Sequence, residues 1–407
     1  MASVVAPRDA KEVEQAVAWA AAEKRPLTVL AGGSKRAIGR PEQAELTLDV
    51  SALGGITLYE PEELVLSARA GTPHAEIEAA LAEKGQELAF EPGDLGPLFG
   101  GEPGGATIGG VIAANLSGPR RIKAGAARDH FLGVHAVSGR GEAFKSGGRV
   151  VKNVTGYDLA KGLAGSWGTL AVMTDVTLKV LPAAETAASV VLIGLDADAA
   201  AKAMSAAMGS ACDVSGAAHL PGPVAARSAV ETVRGGGGPL TALRLEGFGP
   251  SVASRVNKLK ELLRPFGAAG QLGADDTRRL WHEVRDVRFF AADPDRPLWR
   301  LSAPPLEGAK VAARILERAD GQCLFDWAGG LVWLELAPSE DAGEPIVRDA
   351  LSETGGHATL IRAVPAVRAA VPVFQPQPAP LAALTRRLKE SFDPAGILNP
   401  GRMYAGL

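Results

Sequence analysis

The chain has 407 residues, of which 46% are hydrophobic and 22% charged, and its formal net charge is −3. This length predicts more than one domain, and the small net charge gives no electrostatic basis for binding nucleic acid. The two cysteines, Cys212 and Cys323, are too few for a disulfide framework, a cysteine-rich zinc site or an iron–sulfur cluster.

The first predicted elements are a helix and a short strand. Asp9 and Glu12 have the spacing of a capping box, and the helix that they begin continues to about residue 23. An apolar strand over residues 27–31 follows. Two more strands, over 46–50 and 64–70, precede a helix that ends at Gly85.

The strand over 27–31 runs directly into Gly32-Gly33-Ser34. Successive backbone N–H groups in such a turn form a nest that binds anions, and a diphosphate is the natural occupant. Lys35 and Arg36 add positive charge beside it. Glycine pairs also follow strands in proteins without a ligand, so a plain turn remains an equal alternative for this loop.

A second glycine-rich loop covers residues 103–110 and leads into an apolar helical stretch. This order predicts unpaired N–H donors at a helix N-terminus, where phosphate binds well. Gly109 and Gly110 would also let the backbone approach a flat ring. A glycine turn that packs a strand on a helix is the alternative, but two such loops in one α+β unit favour a dinucleotide.

The rest of the chain alternates strands with helices. Residues 170–180 alternate in hydrophobicity as a long half-buried strand, and residues 184–370 are typical of two ferredoxin-like halves. A proline-rich segment over 371–380 precedes a final helix over 381–392. The main predicted strands of the second half are 189–195, 240–248, 299–303 and 357–363, its helices are 196–210, 251–266, 309–319 and 345–353, and a hairpin covers 323–336.

Familiar nucleotide and metal motifs are missing from the sequence. No G-x-G-x-x-G opens a strand–helix–strand unit with an acidic residue about 20 positions on, and there is no P-loop. We therefore predict no metal site, because no pair of histidines has a metal-binding spacing among His74, His130, His135, His219, His282 and His357.

The two glycine loops resemble those of FAD-binding proteins of the vanillyl-alcohol oxidase type, also called the p-cresol methylhydroxylase type. Residues 107–110 match the Thr-Ile-Gly-Gly segment of that family, 165–172 match a turn and strand along adenine and ribose, and 393–402 match its closing segment. The resemblance implies an α+β protein with a two-subdomain FAD-binding fold of this type and an α+β, ferredoxin-like cap domain. The implied domains are 1–183 for FAD binding, 184–370 for the cap and 371–407 for a C-terminal segment returning to the FAD domain.

The same resemblance implies how FAD is held. Family members that attach flavin covalently place histidine or cysteine near the first loop, whereas Ser34, Lys35 and Arg36 stand there, so we expect non-covalent FAD. The implied cofactor-binding residues are Ala31, Gly32, Gly33, Ser34, Lys35, Gly104, Thr107, Ile108, Gly109, Gly110, Asn115, Gly118, Gly168 and Val172.

Longer strings resemble the E-subunit family of bacterial glycolate oxidases, namely residues 117–121, 151–159, 298–302 and 326–330. This resemblance implies an assembly that oxidises glycolate, a small 2-hydroxyacid, to glyoxylate. A larger FAD-binding D subunit and an iron–sulfur F subunit would be its partners. The start of the chain lacks a signal-peptide pattern and no apolar run could span a bilayer, so we expect a cytoplasmic subunit whose contact with the inner membrane is made by partners.

No residue can be assigned a catalytic role from the sequence. Related 2-hydroxyacid dehydrogenases carry a histidine-rich site in the C-terminal half, where this chain has only His357, a predicted strand residue. A structural docking subunit and a stand-alone FAD-linked 2-hydroxyacid oxidoreductase therefore remain alternatives. His282 and Arg300 could contact a carboxylate, although we expect a structural ion pair at Arg300. Other residues of interest are Arg120 and Arg121, expected at phosphate or in solvent, and Trp327 and Trp333, expected in the core or at an interface.

Overall fold

The structure, a computed structural model, describes residues 3–150 and 156–407. The loop predicted over 151–155, with the first part of the family string over 151–159, lies outside the described residues. Over the described residues the strands form four sheets. No helix in this part of the chain is long and apolar enough to cross a membrane.

The first sheet is parallel and is covered by the helix that the N-terminal pattern predicts. The helix α1 (Ala10–Ala22) begins where the Asp9 carboxylate accepts a hydrogen bond from the Glu12 amide at 2.8 Å. It buries Val13 and Val17 in a cluster with the strand residues. In the order in which they pair, the strands are β1 (Ser3–Val5), β3 (Leu46–Asp49) and β2 (Leu27–Leu30).

The second sheet is antiparallel, and a short two-stranded ladder lies beside it. The long strand predicted over 170–180 is its central strand β9, and short helices cover one face. In pairing order its strands are β4 (Ile56–Glu60), β5 (Val65–Arg69), β9 (Ala171–Lys179), β7 (Phe131–Ser138) and β8 (Ala143–Gly147), the ladder is β6 (Gln86–Glu87) with β10 (Leu181–Pro182), and the helices are α2 (His74–Ala82), α3 (Ile108–Ala114), α4 (Arg121–Ala124), α5 (Ala127–His130) and α6 (Leu159–Leu163).

The third sheet, which we call the cap sheet, is built from two ferredoxin-like halves, as predicted. Each half runs strand, helix, strand, strand, helix, strand, and the halves meet where His219 lies opposite Phe325. The first half is β11 (Thr186–Ile193), α7 (Ala197–Met208), β12 (Gly216–Leu220), β13 (Leu240–Gly247), α10 (Gly249–Leu263) and β14 (Ala269–Leu272), with α8 (Gly222–Ala225) and α9 (Glu231–Arg234) between β12 and β13. The second half is β15 (Leu298–Ser302), α12 (Gly308–Leu316), β16 (Gly321–Asp326), β17 (Leu331–Leu336), α13 (Glu344–Ser352) and β18 (His357–Arg362), preceded by α11 (Ala274–Arg285) and followed by α14 (Pro365–Ala370) and α15 (Ala379–Phe392).

A buried cluster of charges joins the cap sheet to the N-terminal part of the chain. Arg244 of β13 donates two hydrogen bonds of 2.8 Å to the Glu91 carboxylate. Arg120 donates to Glu246 at 2.8 and 3.1 Å and also contacts Glu87. Arg120 is therefore neither solvated nor free for phosphate, because carboxylates from both sides of the interface neutralise it.

The C-terminal segment packs against the first sheet. The buried Lys389 ammonium of α15 donates to the Asp393 carboxylate at 2.6 Å and to the Thr169 carbonyl at 2.7 Å. The Asn399 amide donates to the Leu27 carbonyl of β2 at 2.9 Å. These bonds extend the parallel sheet by one short bridge and place residues 399–402 beside the first glycine loop.

We predict that Glu91→Gln destabilises the fold and weakens its response to acid. Burial raises the pKa of Glu91, but Arg244 and Arg120 outweigh it and hold that pKa at about 2, below the ordinary 4.5. The stabilisation is therefore present at neutral pH and is lost as the pH falls from about 4.5 towards 2. The variant leaves buried guanidinium groups without their carboxylate partner. We therefore expect urea denaturation at pH 7 to show a free energy of unfolding that is lower by about 3 kcal/mol.

The matched control is Glu261→Gln, because Glu261 pairs with Arg264 on the exposed surface of α10. Exposed pairs contribute little, so this variant should retain both the stability and the acid profile. If Glu91→Gln keeps the wild-type acid profile, the interface cluster does not stabilise the folded protein in the way described.

Candidate functional site

A cleft lies where β2 runs into the first glycine loop, with the second glycine-rich loop on its other side. The structure brings together most of the predicted cofactor residues here. Those that line the cleft are Ala31, Gly32, Gly33, Ser34, Lys35, Thr107, Gly109, Gly110, Gly168 and Val172.

The first glycine loop presents a run of free backbone donors to the cleft. Within the described residues, no hydrogen-bond acceptor is found for the amides of Gly32, Gly33, Ser34 or Lys35. Gly33 has a φ of +74°, a left-handed conformation that glycine adopts without strain. Four consecutive free amides around such a residue have the arrangement of an anion-binding nest.

A buried cation lies beside these amides. The Lys35 side chain is buried, and its Nζ atom has no hydrogen-bond partner in the part of the chain that the structure describes. Burial lowers the pKa of Lys35 to about 8, although the nearby Asp94 carboxylate favours the charged form. An unpartnered buried ammonium is costly, and a phosphate group would remove that cost.

The two glycine loops touch through their backbones. A Cβ atom at Gly32 would overlap the carbonyl oxygen of Gly105 and come within 3.4 Å of the Thr107 methyl carbon. Gly32 is thus required for the close approach of the loops, and any other residue would push them apart.

The amides of Ile108, Gly109 and Gly110, in the first turn of α3, are used inside the protein, so the prediction of free donors is wrong for this turn. Within the described residues, no acceptor is found for the preceding amides of Gly105, Ala106 and Thr107. The carbonyl groups that follow β5 turn towards the loop and accept its hydrogen bonds, forming a short bridge between Pro73 and Thr107. Gly110 donates to the Thr107 hydroxyl, which caps α3. The other acceptors are Asp94 Oδ2 for Gly104 at 2.6 Å, the Thr72 carbonyl for Ile108 at 2.9 Å and the Ala70 carbonyl for Gly109 at 2.8 Å.

Four predicted cofactor residues do not line the cleft. Ile108 is fully buried in the core of the second sheet, and the Gly104 amide is held by a carboxylate. Asn115 ends α3 in a left-handed conformation, and its Oδ1 atom accepts a hydrogen bond from the Arg128 amide at 3.0 Å. Gly118 packs closely on the Glu91 backbone, away from the cleft.

Arg402 and Trp167 line the cleft, although the sequence did not single them out as site residues. Arg402 donates to the Lys35 carbonyl at 3.0 Å and lies over the Trp167 ring, 5.6 Å from its centroid. Burial lowers the pKa of Arg402 to about 10. Asn399 connects Trp167 to β2, because its side chain accepts a hydrogen bond from the Val29 amide and donates one to the Trp167 carbonyl. The sequence signals for these contacts are the family resemblance of the closing segment over 393–402, which contains Asn399 and Arg402, and that of residues 165–172, which contain Trp167.

Arg36, the second predicted cation of the first loop, is neutralised within the protein. Its guanidinium donates to both oxygens of Glu42, at 2.8 and 2.7 Å. The positive charges that remain available at the cleft are those of Lys35 and Arg402.

The other candidates lie away from the cleft. His282 is on α11, where burial and then Arg285 lower its pKa. Arg300 has no carboxylate within ion-pair distance in the described ranges, so the expected structural ion pair is absent. His357 begins β18, as predicted, and Trp327 and Trp333 are buried. Across residues 3–150 and 156–407, no group of three or more His, Cys, Asp or Glu residues could hold a metal ion.

Comparison with protein families adds direct support for a flavin site. A family model described as an FAD binding domain matches residues 1–147, and the model for the C-terminal domain of FAD-linked oxidases matches residues 377–403. The first match contains both glycine loops, and the second contains the segment that reaches Arg402. The predicted cofactor, FAD, is confirmed at the level of the family.

Relatives are found along the whole chain. Glycolate oxidase subunit GlcE of Escherichia coli (strain K12) is 35% identical over 398 residues, which cover 98% of this chain and 97% of that protein. Glycolate oxidase subunit GlcD of Bacillus subtilis (strain 168) is 26% identical over 99% of this chain and 89% of its own length. A crystal structure of p-cresol methylhydroxylase aligns with a TM-score of 0.71 at 14% identity, covering 98% of this chain and 88% of that one, which confirms the predicted fold.

We predict that Lys35→Met stabilises the flavin-free protein at pH 7. The folded state lowers the pKa of Lys35 from 10.5 to about 8, so the charged lysine opposes folding below pH 8. This penalty, about 3 kcal/mol, disappears as the pH rises from 8 to 10.5. Urea denaturation at pH 7 and pH 10 should therefore show a difference between variant and wild type only at the lower pH.

Lys202→Met is the control, since Lys202 lies on the surface of α7 beside Asp198. The free energy of unfolding of this variant should depend on pH as that of the wild type does. A Lys35→Met variant that is less stable than wild type at pH 7 would contradict the description of an unpartnered buried charge.

Proposed function

The chain belongs to the family of FAD-linked oxidoreductases that includes glycolate oxidase subunit GlcE, and we propose that it is the FAD-binding subunit of a multi-subunit glycolate oxidase. In this role it takes part in the oxidation of glycolate to glyoxylate. The observation that carries the proposal is the composition of the cleft inside the FAD-binding domain. Among the described residues, four free backbone amides and the unpartnered Lys35 ammonium face it, and these are groups that bind an anion.

The residues at the cleft fit FAD by their chemistry. In the proposal, the amides of Gly32 to Lys35 and the Lys35 ammonium hold the diphosphate, while Thr107, Gly109, Gly110, Gly168 and Val172 provide backbone and apolar surface for the rest of the cofactor. FAD, when bound, supplies the two-electron acceptor that the side chains lack. The described lining contains neither histidine nor cysteine, which supports non-covalent attachment.

The proposed partners are a larger FAD-binding D subunit and an iron–sulfur F subunit. Two relatives carry names of glycolate oxidase subunits, and this chain resembles each of them over nearly its whole length. Its two cysteines are both buried and cannot hold a four-cysteine cluster, so electrons would leave through another chain. A cytoplasmic location, with any membrane contact made by partners, belongs to the same proposal.

A structural role in the assembly is the second candidate. In the described ranges, no group of three or more His, Cys, Asp or Glu residues could hold a metal ion for substrate oxidation. In that case the flavin would stabilise a docking surface, and turnover would take place on the D subunit.

We predict that Gly32→Ala abolishes most FAD binding. The new Cβ atom would overlap the Gly105 carbonyl, separate the loops and misplace the free amides. The absorbance of the purified protein near 450 nm relative to 280 nm should fall by about tenfold, as for a loss of about 1.4 kcal/mol or more in binding. Gly54→Ala is the control, because a Cβ atom at Gly54 meets no neighbour within 4 Å and should leave the flavin content unchanged. A Gly32→Ala protein with full flavin content would contradict the assignment of this loop.

The proposed function is tested by anaerobic addition of glycolate to the chain alone and to the chain purified with its D and F partners. We expect the flavins of both this chain and the D subunit to be reduced in the assembly, seen as bleaching of the whole flavin absorbance near 450 nm rather than of the D subunit's share alone. Bleaching of the chain alone would favour the stand-alone oxidoreductase. A flavin that stays oxidised in an assembly that turns over glycolate would favour the structural role.

A further inference from the structure

The turn between β16 and β17 fixes one tryptophan at the junction between the cap sheet and the glycine-rich stretch. Trp327, Ala328 and Gly329 have φ values of 51°, 58° and 95°, and left-handed backbone is strained at the two residues that are not glycine. The Trp327 amide donates to the Asp326 carboxylate at 2.7 Å. Its indole Nε1 donates to the Gly118 carbonyl at 3.0 Å, so the ring is held at both ends.

Two guanidinium groups lie over this ring. The Cζ atom of Arg121 is 4.4 Å from the ring centroid, and that of Arg300 is 4.8 Å from it. Arg300 is also 5.9 Å from the centroid of Trp333, its neighbour on β17. Within the ranges 3–150 and 156–407, neither guanidinium has a hydrogen bond or an ion pair. We call Arg121, Trp327 and Arg300 the Arg–Trp–Arg site.

Stacking alone does not account for this arrangement, as a comparison within the cap sheet shows. Arg244 lies over Trp281 at 4.6 Å, close to the distance at Trp327, but it also donates two hydrogen bonds to Glu91. Arg244 thus has both an aromatic ring and a carboxylate, whereas Arg300 has only the rings. What Arg244 has and Arg300 lacks, among the described residues, is an anionic partner within ion-pair distance.

The nearest acid does not supply that anion. One oxygen of Asp326 already accepts the Trp327 amide, and burial raises the pKa of Asp326 to about 7. Burial and the neighbouring Arg121 lower the pKa of Arg300 to about 10, so it stays charged at neutral pH. Even when Asp326 is ionised, two guanidinium groups and one carboxylate leave the site with a net positive charge that a second carboxylate would balance.

We propose that Arg300, with Arg121 as a second positive charge, binds the carboxylate of a small 2-hydroxy or 2-oxo acid. This inference rests on the proposed function for the identity of the acid, but the geometry at Trp327 does not depend on the cleft. A guanidinium presents paired donors that match the two oxygens of a carboxylate, and the tryptophans hold it in one orientation. Arg300 is then the residue that contacts substrate, and Trp327 and Trp333 position it.

The test is calorimetric titration of the purified, FAD-loaded chain with sodium oxalate, a small carboxylate that cannot reduce flavin. We expect wild type to bind oxalate and the neutral glycolamide to show no binding. Arg300→Met keeps apolar contact with the rings and should weaken oxalate binding at least tenfold, and Arg121→Met should weaken it less. Arg300→Lys, which keeps the charge without the paired donors, should be intermediate and provides a second readout if the Met variant is poorly folded.

Arg278→Met is the matched control, because Arg278 pairs only with exposed Asp275 on α11. It should bind oxalate as wild type does. Wild-type protein that carries FAD but binds no oxalate, or an Arg300→Met protein that binds it with unchanged affinity, would overturn the inference and leave the proposed function standing. Loss of FAD from every preparation would instead contradict the proposed function, while the oxalate titration would still report on the Arg–Trp–Arg site.

Discussion

The cleft depends on one arrangement, a run of four free amides beside a buried lysine ammonium that has no partner among the described residues. The unpaired buried ammonium opposes folding, so the surrounding structure has to hold this loop in place. The C-terminal segment does so from the other end of the sequence. Asn399 binds the Val29 amide before the loop, and Arg402 binds the Lys35 carbonyl after it. The donors of the loop are thereby left directed at the cleft.

The sequence predicted the first loop and the plan of the cap sheet, because both depend on local pattern. The strand over 27–31 runs directly into two glycines, which is a local signal for a turn with free amides, and alternating strands and helices indicate ferredoxin-like halves. The second loop had the same local pattern, yet the carbonyls of Ala70 and Thr72 accept hydrogen bonds from two of its amides, those of Gly109 and Ile108. Those carbonyls lie more than thirty residues away, so glycine content alone does not distinguish a nest from a packed turn.

Other elements were missed for related reasons. The strand β12 (Gly216–Leu220) consists of glycine, alanine, histidine and leucine and has no β-branched side chain, so its place in the sheet is set by its neighbours β13 and β16. The helix α11 (Ala274–Arg285) is mostly charged, and its few apolar residues are recognised as a buried face only when Trp281 is seen in the core. Arg300 was expected to form an ion pair, and only the folded chain shows that its neighbours are rings.

The stretch over residues 91–121 contacts the cleft, the charged interface with the cap sheet and the Arg–Trp–Arg site. These contacts explain why it is rich in glycine. Asp94 favours the charged form of Lys35 and binds the Gly104 amide, Glu91 neutralises Arg244 at the interface, and Gly118 accepts the Trp327 indole. Each contact uses backbone or a short side chain at close range, and a Cβ atom at Gly118 would overlap the Glu91 carbonyl. Glycine is therefore needed along this stretch less for flexibility than for the close packing of the cleft, the cap sheet and the Arg–Trp–Arg site on a single piece of backbone.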